Sequence, residues 1–205
     1  MEAQNKELKK RSDPVDIDII GIFGYMGEGK SLGGTRIVED YLSKGHYHES
    51  NVYTNMEFLK WSESYFFESG QALMQELRKV IKERKQNLLF FYDELDKDFD
   101  AITSKDQEAR KLLKLLYMAR KLGITFIATG HDPESVNIVL RGMFTLVVVC
   151  KYDEKLDKLH IYEYRLGGRG KRGIKIYKCD NISESFGHYD SFYVHDDVEQ
   201  IEQGK

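Results

Sequence analysis

The chain has 205 residues and a mass of 23.9 kDa, a length nearest to that of a single domain. Hydrophobic residues make up 41% and charged residues 32%, which is a globular composition and excludes an intrinsically disordered chain. The net charge of −3 excludes a general electrostatic attraction to nucleic acid or to an anionic membrane. Any contact with DNA must therefore be local.

The sequence predicts neither a transmembrane segment nor a disulfide framework. The longest apolar runs, at 88–92 and 144–150, are far shorter than the roughly 18–20 residues that span a bilayer. The first residues contain no apolar signal region, and two cysteines, Cys150 and Cys179, are too few for a disulfide scaffold. We therefore expect the protein to work in a reducing compartment.

Strand and helix patterns alternate along the chain. Apolar and β-branched runs predict strands at 15–23, 51–56, 87–92, 124–129 and 144–150. Apolar residues at helical spacing predict helices at 31–42, 71–84 and 105–121. This alternation predicts an α/β fold with a mainly parallel sheet flanked by helices, and ligands of such sheets bind beyond the carboxyl ends of the strands. We expect the functional residues after Phe23, Tyr92 and Thr129.

A β-hairpin is predicted after these elements. Two alternating segments, at 159–166 and 173–178, are separated by a run of glycine and basic residues. We therefore expect one domain over residues 1–205, with its core at about 15–151 and the hairpin and tail at about 152–205.

Basic residues are concentrated on or beside this hairpin, within fourteen residues that contain no acid. They are Arg165, Arg169, Lys171, Arg172, Lys175 and Lys178. In a protein of negative net charge, such a local cluster favours contact with nucleic-acid phosphates. The alternative is a solvated turn whose charges protect an edge strand from aggregation.

A glycine-rich motif follows the first predicted strand and precedes the first predicted helix. Residues 24–31 fit G-x-x-x-x-G-K-[ST], and with the next residue the candidate ligands are Gly24, Tyr25, Met26, Gly27, Glu28, Gly29, Lys30, Ser31 and Leu32. Glycines let successive backbone N–H groups surround phosphate oxygens, the lysine reaches the β and γ phosphates, and the hydroxyl serves Mg²⁺. The motif and its place between strand and helix predict nucleotide binding; the alternative is a glycine-rich turn with an exposed lysine.

An acidic pair, Asp93 and Glu94, follows the apolar strand at 87–92. An aspartate at the tip of a buried strand can hold the Mg²⁺ that Ser31 also contacts, and the adjacent glutamate can deprotonate a water that attacks the γ-phosphate. The alternative is a solvated acidic turn, because Asp96, Asp98 and Asp100 continue the acidic run.

The strand at 124–129 ends in Thr129, Gly130 and His131. A polar side chain at this position can sense the γ-phosphate or contact the attacking water, and His131 is the candidate. The alternative is a histidine that only caps the turn before Pro133. The histidines and the two cysteines show no metal-ligand spacing, so no zinc site is predicted.

Several segments together resemble the FtsK/HerA superfamily of P-loop ATPases. They are FFYDE at 90–94, MARKLGITFIATGHDPESV at 118–136 and SFGHYDSFYVHD at 185–196. The short length, YTN at 53–55 and YDS at 189–191 are similar to the viral genome-packaging and filamentous-phage morphogenesis ATPases of that superfamily, those of archaeal turreted icosahedral viruses among them. The resemblance covers about residues 15 to 195.

The resemblance implies a P-loop NTPase of the additional-strand, catalytic-glutamate type. Numbering the five core strands along the chain, the expected order in the sheet is 5-1-4-3-2. ATP and Mg²⁺ are the implied cofactors, with Asp93 on the metal and Glu94 as the base. Arg120 matches an arginine that relatives insert into a neighbouring subunit's site, and the preceding glycine of the family motif is Ala119 here. The alternative for Arg120 is an exposed arginine at a helix C-terminus, which the helix dipole favours. The family's sensor glutamine falls at Gly130, so His131 is expected to take its place.

The function implied by the resemblance is ATP hydrolysis that moves viral double-stranded DNA into a capsid. It implies a homohexameric ring, with capsid or membrane-associated virion proteins as partners, in the host cytoplasm or with the virion. One alternative is a morphogenesis or secretion ATPase of the same superfamily. Another, of a different class, is a nucleotide-dependent structural virion subunit with little turnover.

Overall fold

The computed structural model describes residues 18–56, 61–100, 106–153, 155–165 and 174–180. The strands in these ranges are β1 (Ile19–Phe23), β2 (Val52–Thr54), β3 (Tyr65–Phe66), β4 (Leu89–Tyr92), β5 (Thr125–Gly130), β6 (Leu146–Asp153), β7 (Lys158–Arg165) and β8 (Ile174–Asp180). The helices are α1 (Lys30–Ser43), α2 (Gly70–Lys82), α3 (Leu95–Asp98), α4 (Asp106–Arg120) and α5 (Ile138–Arg141), with one 3₁₀ turn at Glu49–Asn51.

Within the described ranges, eight strands form one sheet in the order β3-β2-β4-β5-β1-β6-β7-β8. The pairs from β3 to β6 are parallel, whereas β6–β7 and β7–β8 are antiparallel. The five predicted core strands are β1, β2, β4, β5 and β6, and their predicted order is confirmed. The loop after β1 therefore lies beside the ends of β5 and β6, with β4 one strand further away.

The core lies on both faces of the sheet because the central strands are buried at every position and mainly apolar, with Thr125 and Thr129 of β5 as buried polar residues. Ile19 and Phe23 of β1 belong to a cluster with apolar residues of α2 and α4. Ile20 and Ile22, which alternate with them, pack in a second cluster with Leu32 of α1. Burial on both faces explains why these strands are continuous apolar runs and do not alternate in polarity.

The strands and helices that the sequence predicts are present, and their observed bounds differ from the predicted ones mainly at the ends. Strand β3 was not predicted, because it has only two residues and both are partly exposed. Helices α3 and α5, of four residues each, are too short to produce a helical period. Strand β6 extends to Asp153, which pairs with Lys158, so the C-terminal strands continue the sheet directly from β6.

Two glycines let the first turn of α1 approach the sheet closely. A Cβ at Gly33 would lie 2.5 Å from Cys150 Sγ of β6, and a Cβ at Gly34 would lie 2.4 Å from Phe91 Cζ of β4. Larger residues would push the helix away from both strands. None of the helices in the described ranges is long and apolar enough to cross a bilayer.

Candidate functional site

The loop between β1 and α1 has the backbone of a phosphate-binding loop. Gly27 and Gly29 adopt φ values of 80° and 78°, a left-handed conformation that glycine adopts without strain. Gly29 is also the N-cap of α1 and supplies no side chain there. A Cβ at Gly29 would lie 2.8 Å from Leu159 Cδ1, so both the backbone angle and the space at this position require glycine.

Hydrogen bonds hold this loop in one shape. Tyr25 N donates to Glu28 Oε2 at 2.7 Å, and Glu28 N donates back to Tyr25 O at 3.1 Å. Gly24 N donates to His131 O at 3.1 Å, which ties the loop to the end of β5. Lys30 is only 8% exposed, and its ammonium donates to Tyr25 O at 3.1 Å across the loop. The lysine charge is thus held inside the loop.

The remaining predicted ligands of the loop contribute differently. Tyr25 and Met26 are 72% and 86% exposed, so their side chains do not line a closed cavity. The side chain of Leu32, in the first turn of α1, is fully buried in the core and so is not available to a ligand. The phosphate-binding capacity of the loop therefore lies in its backbone, in Lys30 and in Ser31.

Asp93, at the end of β4, lies directly against this loop. Ser31 Oγ donates to Asp93 Oδ1 and Oδ2 at 2.9 and 3.0 Å, and Thr129 Oγ1 donates to Oδ1 at 2.5 Å. Burial raises the pKa of Asp93, and the hydrogen bonds from Thr129 and Ser31 offset part of that increase. Ser31 and Asp93, which the sequence predicts as ligands of one Mg²⁺, thus contact each other directly.

A buried carboxylate beside a hydroxyl fits a magnesium site. Mg²⁺ takes oxygen ligands and is commonly held by one or two protein groups together with substrate phosphates. The described residues contain no cluster of three or more His, Cys, Asp or Glu side chains suited to a metal on its own. Ser31 and Asp93 therefore fit an ion whose remaining ligands come from a nucleotide and water.

Glu94 follows Asp93 in a left-handed backbone conformation, with φ of 57°. Glu94 N donates to Thr129 Oγ1 at 2.8 Å, so Thr129 contacts both residues of the acidic pair. The Glu94 carboxylate is about one-third exposed and forms an ion pair with Lys97 one turn later. This pair is on the surface, so the carboxylate is partly accessible to solvent.

Asn55 belongs to the candidate site; in the sequence it stands out only as the last residue of YTN at 53–55, without a predicted role. It is 6% exposed at the end of β2, and its side chain bonds both the N–H and the carbonyl of Asp93. The signal that could have found it is the predicted strand order, which places the carboxyl end of β2 beside that of β4. Asn55 is buried just after a strand that neighbours β4. Its side chain therefore fixes the backbone of the acidic pair.

One member of the acidic run after Glu94 is buried, and another is hydrogen-bonded to the protein although it is exposed. Asp96 is 7% exposed and its Oδ2 accepts hydrogen bonds from the backbone and ring of His131. Asp98 Oδ2 accepts from Gly70 N at 3.0 Å and also bonds the hydroxyl of Tyr92. These acids fix α3 beside β5 and the start of α2.

The structure does not bring every predicted site residue to this edge of the sheet. Arg120 is the exposed last residue of α4, and none of the described hydrogen bonds of the site involves it. Arg165 and Lys175 lie on the neighbouring strands β7 and β8. The other proposed DNA-contact residues, Arg169, Lys171 and Arg172, lie outside the described residues.

No protein-family model matches the chain, and neither does any curated protein sequence. Solved structures do match. The N-terminal domain of zonular occludens toxin from Neisseria meningitidis aligns with 84% of this chain and 98% of its own, at 18% identity and a TM-score of 0.56. The chain has the P-loop NTPase fold.

A second solved structure is similar to the same extent. The genome-packaging NTPase B204 from Sulfolobus turreted icosahedral virus 2, in complex with ATP-gammaS, aligns with 81% of this chain and 98% of its own at 14% identity and a TM-score of 0.56. Its complex with AMP gives 12% identity over 78% of this chain and 96% of its own, with a TM-score of 0.55. The P-loop NTPase fold that the resemblance implied is thereby confirmed.

Proposed function

We propose that this protein binds Mg·ATP and hydrolyses it. The observation that carries the proposal is the contact between Ser31 of the phosphate loop and Asp93 at the end of β4, two residues 62 positions apart whose oxygens lie 2.9 Å from each other. A hydroxyl and a carboxylate meeting at the end of a glycine-rich loop is the arrangement that Mg²⁺ and nucleotide phosphates require.

The residues of the loop bind and orient the nucleotide. Backbone N–H groups at Gly27 and Gly29, with those of the first turn of α1, surround phosphate oxygens, and the Lys30 ammonium compensates their charge. Mg²⁺, held by Ser31 and Asp93, supplies Lewis-acid stabilisation of the charge on the phosphates. The protein's own contribution is a loop already in its binding shape.

Glu94 is the proposed base. Its carboxylate belongs to the residue directly after the proposed metal ligand Asp93 and is about one-third exposed, so water can reach it. It takes the water's proton as the oxygen attacks, a role in which a positioned carboxylate contributes about 10²–10⁴ in rate.

Steady-state phosphate release with Lys30→Ala and Glu94→Gln tests this proposal. Lys30→Ala should lose ATP binding, whereas Glu94→Gln should bind Mg·ATP normally and turn over about 10²–10⁴-fold more slowly. Glu83→Gln is the matched control. Glu83 is the C-cap of α2, just before the chain enters β4, so it lies toward the amino ends of the strands and the loop lies at their carboxyl ends. Wild-type turnover in Glu94→Gln would show that the base is another residue.

We further propose that hydrolysis moves double-stranded DNA. The fold similarity to the genome-packaging NTPase B204 supports this assignment, as does the local concentration of basic residues at the C-terminal hairpin. Arg165 and Lys175 lie on adjacent strands there. A motor that acts on any sequence must hold the DNA backbone, which basic side chains do.

Phosphate release measured with and without double-stranded DNA tests this coupling. Replacing Arg169, Lys171 and Arg172 with alanine should leave basal turnover intact, weaken the stimulation by DNA, and make the salt dependence of binding shallower by up to about 0.9 per lost contact. Turnover without any response to DNA would favour a morphogenesis or secretion ATPase. Binding without turnover would favour a nucleotide-dependent structural subunit.

The proposed motor is a homohexameric ring in which Arg120 acts on the neighbouring subunit. Such an arginine contributes about 10³–10⁵ in rate by neutralising charge in the transition state. Mixing Glu94→Gln subunits with Arg120→Ala subunits should restore turnover in mixed rings, because each variant supplies what the other lacks.

The proposed function implies that the protein acts in the host cytoplasm or at the virion, with capsid or membrane-associated virion proteins as partners.

A further inference from the structure

Asp96 is a buried carboxylate beside the candidate site, and it is bound mainly by one neighbour. Its Oδ2 accepts from His131 N at 2.9 Å, pairs with His131 Nδ1 at 2.7 Å and accepts from Ser135 Oγ at 2.8 Å. Its Oδ1 is buried and has no hydrogen-bond partner among the described residues. All hydrogen bonds of this carboxylate among the described residues therefore come from the segment that contains His131 and Ser135.

This contact determines which ring nitrogen of His131 carries a proton. Burial alone raises the pKa of Asp96, but the hydrogen bonds from His131 and Ser135 outweigh it and hold the pKa below its ordinary value. The group is thus ionised at neutral pH and can only accept hydrogen bonds, so Nδ1 of His131 must be the donor. In the neutral ring Nε2 is then an acceptor.

His131 connects the two segments that carry the proposed chemistry. Its carbonyl accepts from Gly24 N of the phosphate loop at 3.1 Å, and its ring bonds Asp96 in the short helix that begins after Glu94. Strand β5, which ends one residue before it, lies between β1 and β4. The ring is 43% exposed, and no residue in the described ranges bonds its Nε2.

We propose that Asp96 is a positioning residue that holds His131 with Nδ1 protonated, so that Nε2 accepts a hydrogen bond from the water that attacks the γ-phosphate. The inference rests on the ATP hydrolysis proposed above. In that reaction a bond forms between the water oxygen and the γ-phosphorus, and the bond to the β–γ bridging oxygen breaks with its electron pair leaving on ADP. The water's proton passes to Glu94, and His131 only orients the water.

The opposite role for His131 would be donation to the γ-phosphate, and two substitutions separate the roles. A glutamine offers an acceptor oxygen, whereas a lysine offers only donors. His131→Gln should keep kcat within about tenfold of wild type, and His131→Lys should lower it by about 10²-fold. If His131→Lys is the more active of the two, Nε2 acts as a phosphate donor and the inference is overturned.

A double-mutant cycle tests whether Asp96 acts through His131. Asp96→Ala should lower kcat about tenfold with the KM for ATP within about twofold, and it should lower kcat no further in a His131→Ala background. Asp96→Asn retains an acceptor oxygen and should recover most of the lost kcat. Ser135→Ala, which removes a different donor to the same Oδ2, should lower kcat much less than Asp96→Ala.

The outcomes distinguish this inference from the proposed function. No ATP turnover by the wild-type protein would remove the function itself. Turnover by the wild type, with the losses from Asp96→Ala and His131→Ala adding in full, would show that Asp96 only supports the backbone and would overturn the inference alone. Thermal unfolding shows whether Asp96→Ala folds. If it does not fold, the comparison of kcat between His131→Gln and His131→Lys still tests whether Nε2 of His131 is an acceptor.

Discussion

The side-chain amide of Asn55 pairs with the backbone of Asp93 as a neighbouring strand would. Asn55 Oδ1 accepts from Asp93 N at 2.7 Å, and Asn55 Nδ2 donates to Asp93 O at 2.9 Å. Strands β2 and β4 pair through Thr54 and Phe91, so this exchange continues their contact beyond the last paired residues. The backbone of Asp93 is thereby fixed at the point where the chain leaves the sheet.

Asn55→Ala should destabilise the protein and weaken the proposed Mg²⁺ site. It leaves the backbone N–H and carbonyl of Asp93 without their partner, at about 1–3 kcal/mol for each buried group that stays unsatisfied. We expect a lower melting temperature and a higher Mg²⁺ concentration for half-maximal turnover. Asn51→Ala, at the amino end of the same strand, is the control, and equal effects of the two substitutions would contradict a specific role for Asn55.

Gly34→Ala should be strongly destabilising, because the added Cβ would lie 2.4 Å from Phe91 Cζ under α1. Overpacking of this kind costs about 1–3 kcal/mol, or roughly 2–12 °C in melting temperature for a chain of this size. Gly142→Ala is the matched control: it has nothing within 4 Å of its Cβ position and a φ of −71°. A Gly34→Ala protein that melts like Gly142→Ala would show that α1 can move away from β4 without cost.

Asp96 should make stability depend on pH at acidic values. Its folded-state pKa lies below its ordinary value of 3.8, so its ionised form stabilises the folded protein above that value, and this stabilisation is lost as the pH falls through the folded-state pKa. The groups that face it are His131 and Ser135. The difference in unfolding free energy between wild type and Asp96→Asn, from denaturant titrations, should shrink between about pH 5 and pH 2; a constant difference would contradict the ionised assignment.

Lys97→Ala should change turnover little, although Lys97 forms an ion pair with the proposed base. Lys97 is 61% exposed, and surface pairs at this helical spacing contribute about 0.2–0.5 kcal/mol, which corresponds to about a twofold change in rate. We therefore expect kcat within about twofold of wild type. A loss as large as that of Glu94→Gln would mean that Lys97 itself contacts the nucleotide or the water.

The sequence was sufficient for the parallel core and for half of the site. The apolar runs predicted β4 and β5 because strands buried on both faces are mainly apolar along their whole length. The loop at residues 24–31 and the acidic pair were predicted because their chemistry requires fixed residue types at fixed spacing. Strand β3 was missed because two residues carry no period.

The remaining site residues depend on contacts between segments far apart in the chain. Asn55 meets Asp93 across 38 positions, and Asp96 meets His131 across 35. An acidic run has the same composition whether its side chains face solvent or a histidine. Composition therefore does not show whether Asp96 is exposed or buried against His131. Only the packing of α3 against β5 does so, and that packing is a property of the folded sheet.

Gly29 of the glycine-rich loop lies directly beside the side chain of Leu159 in strand β7. Leu159 is fully buried, and its Cδ1 occupies the space where a side chain at Gly29 would lie. A loop that shifts toward β7 would therefore meet the side chain of Leu159. Six residues further on, about 20 Å along the extended chain, the same strand ends at Arg165. Strand β7 thus connects the residue packed beside the glycine-rich loop to a basic residue at the strand's other end.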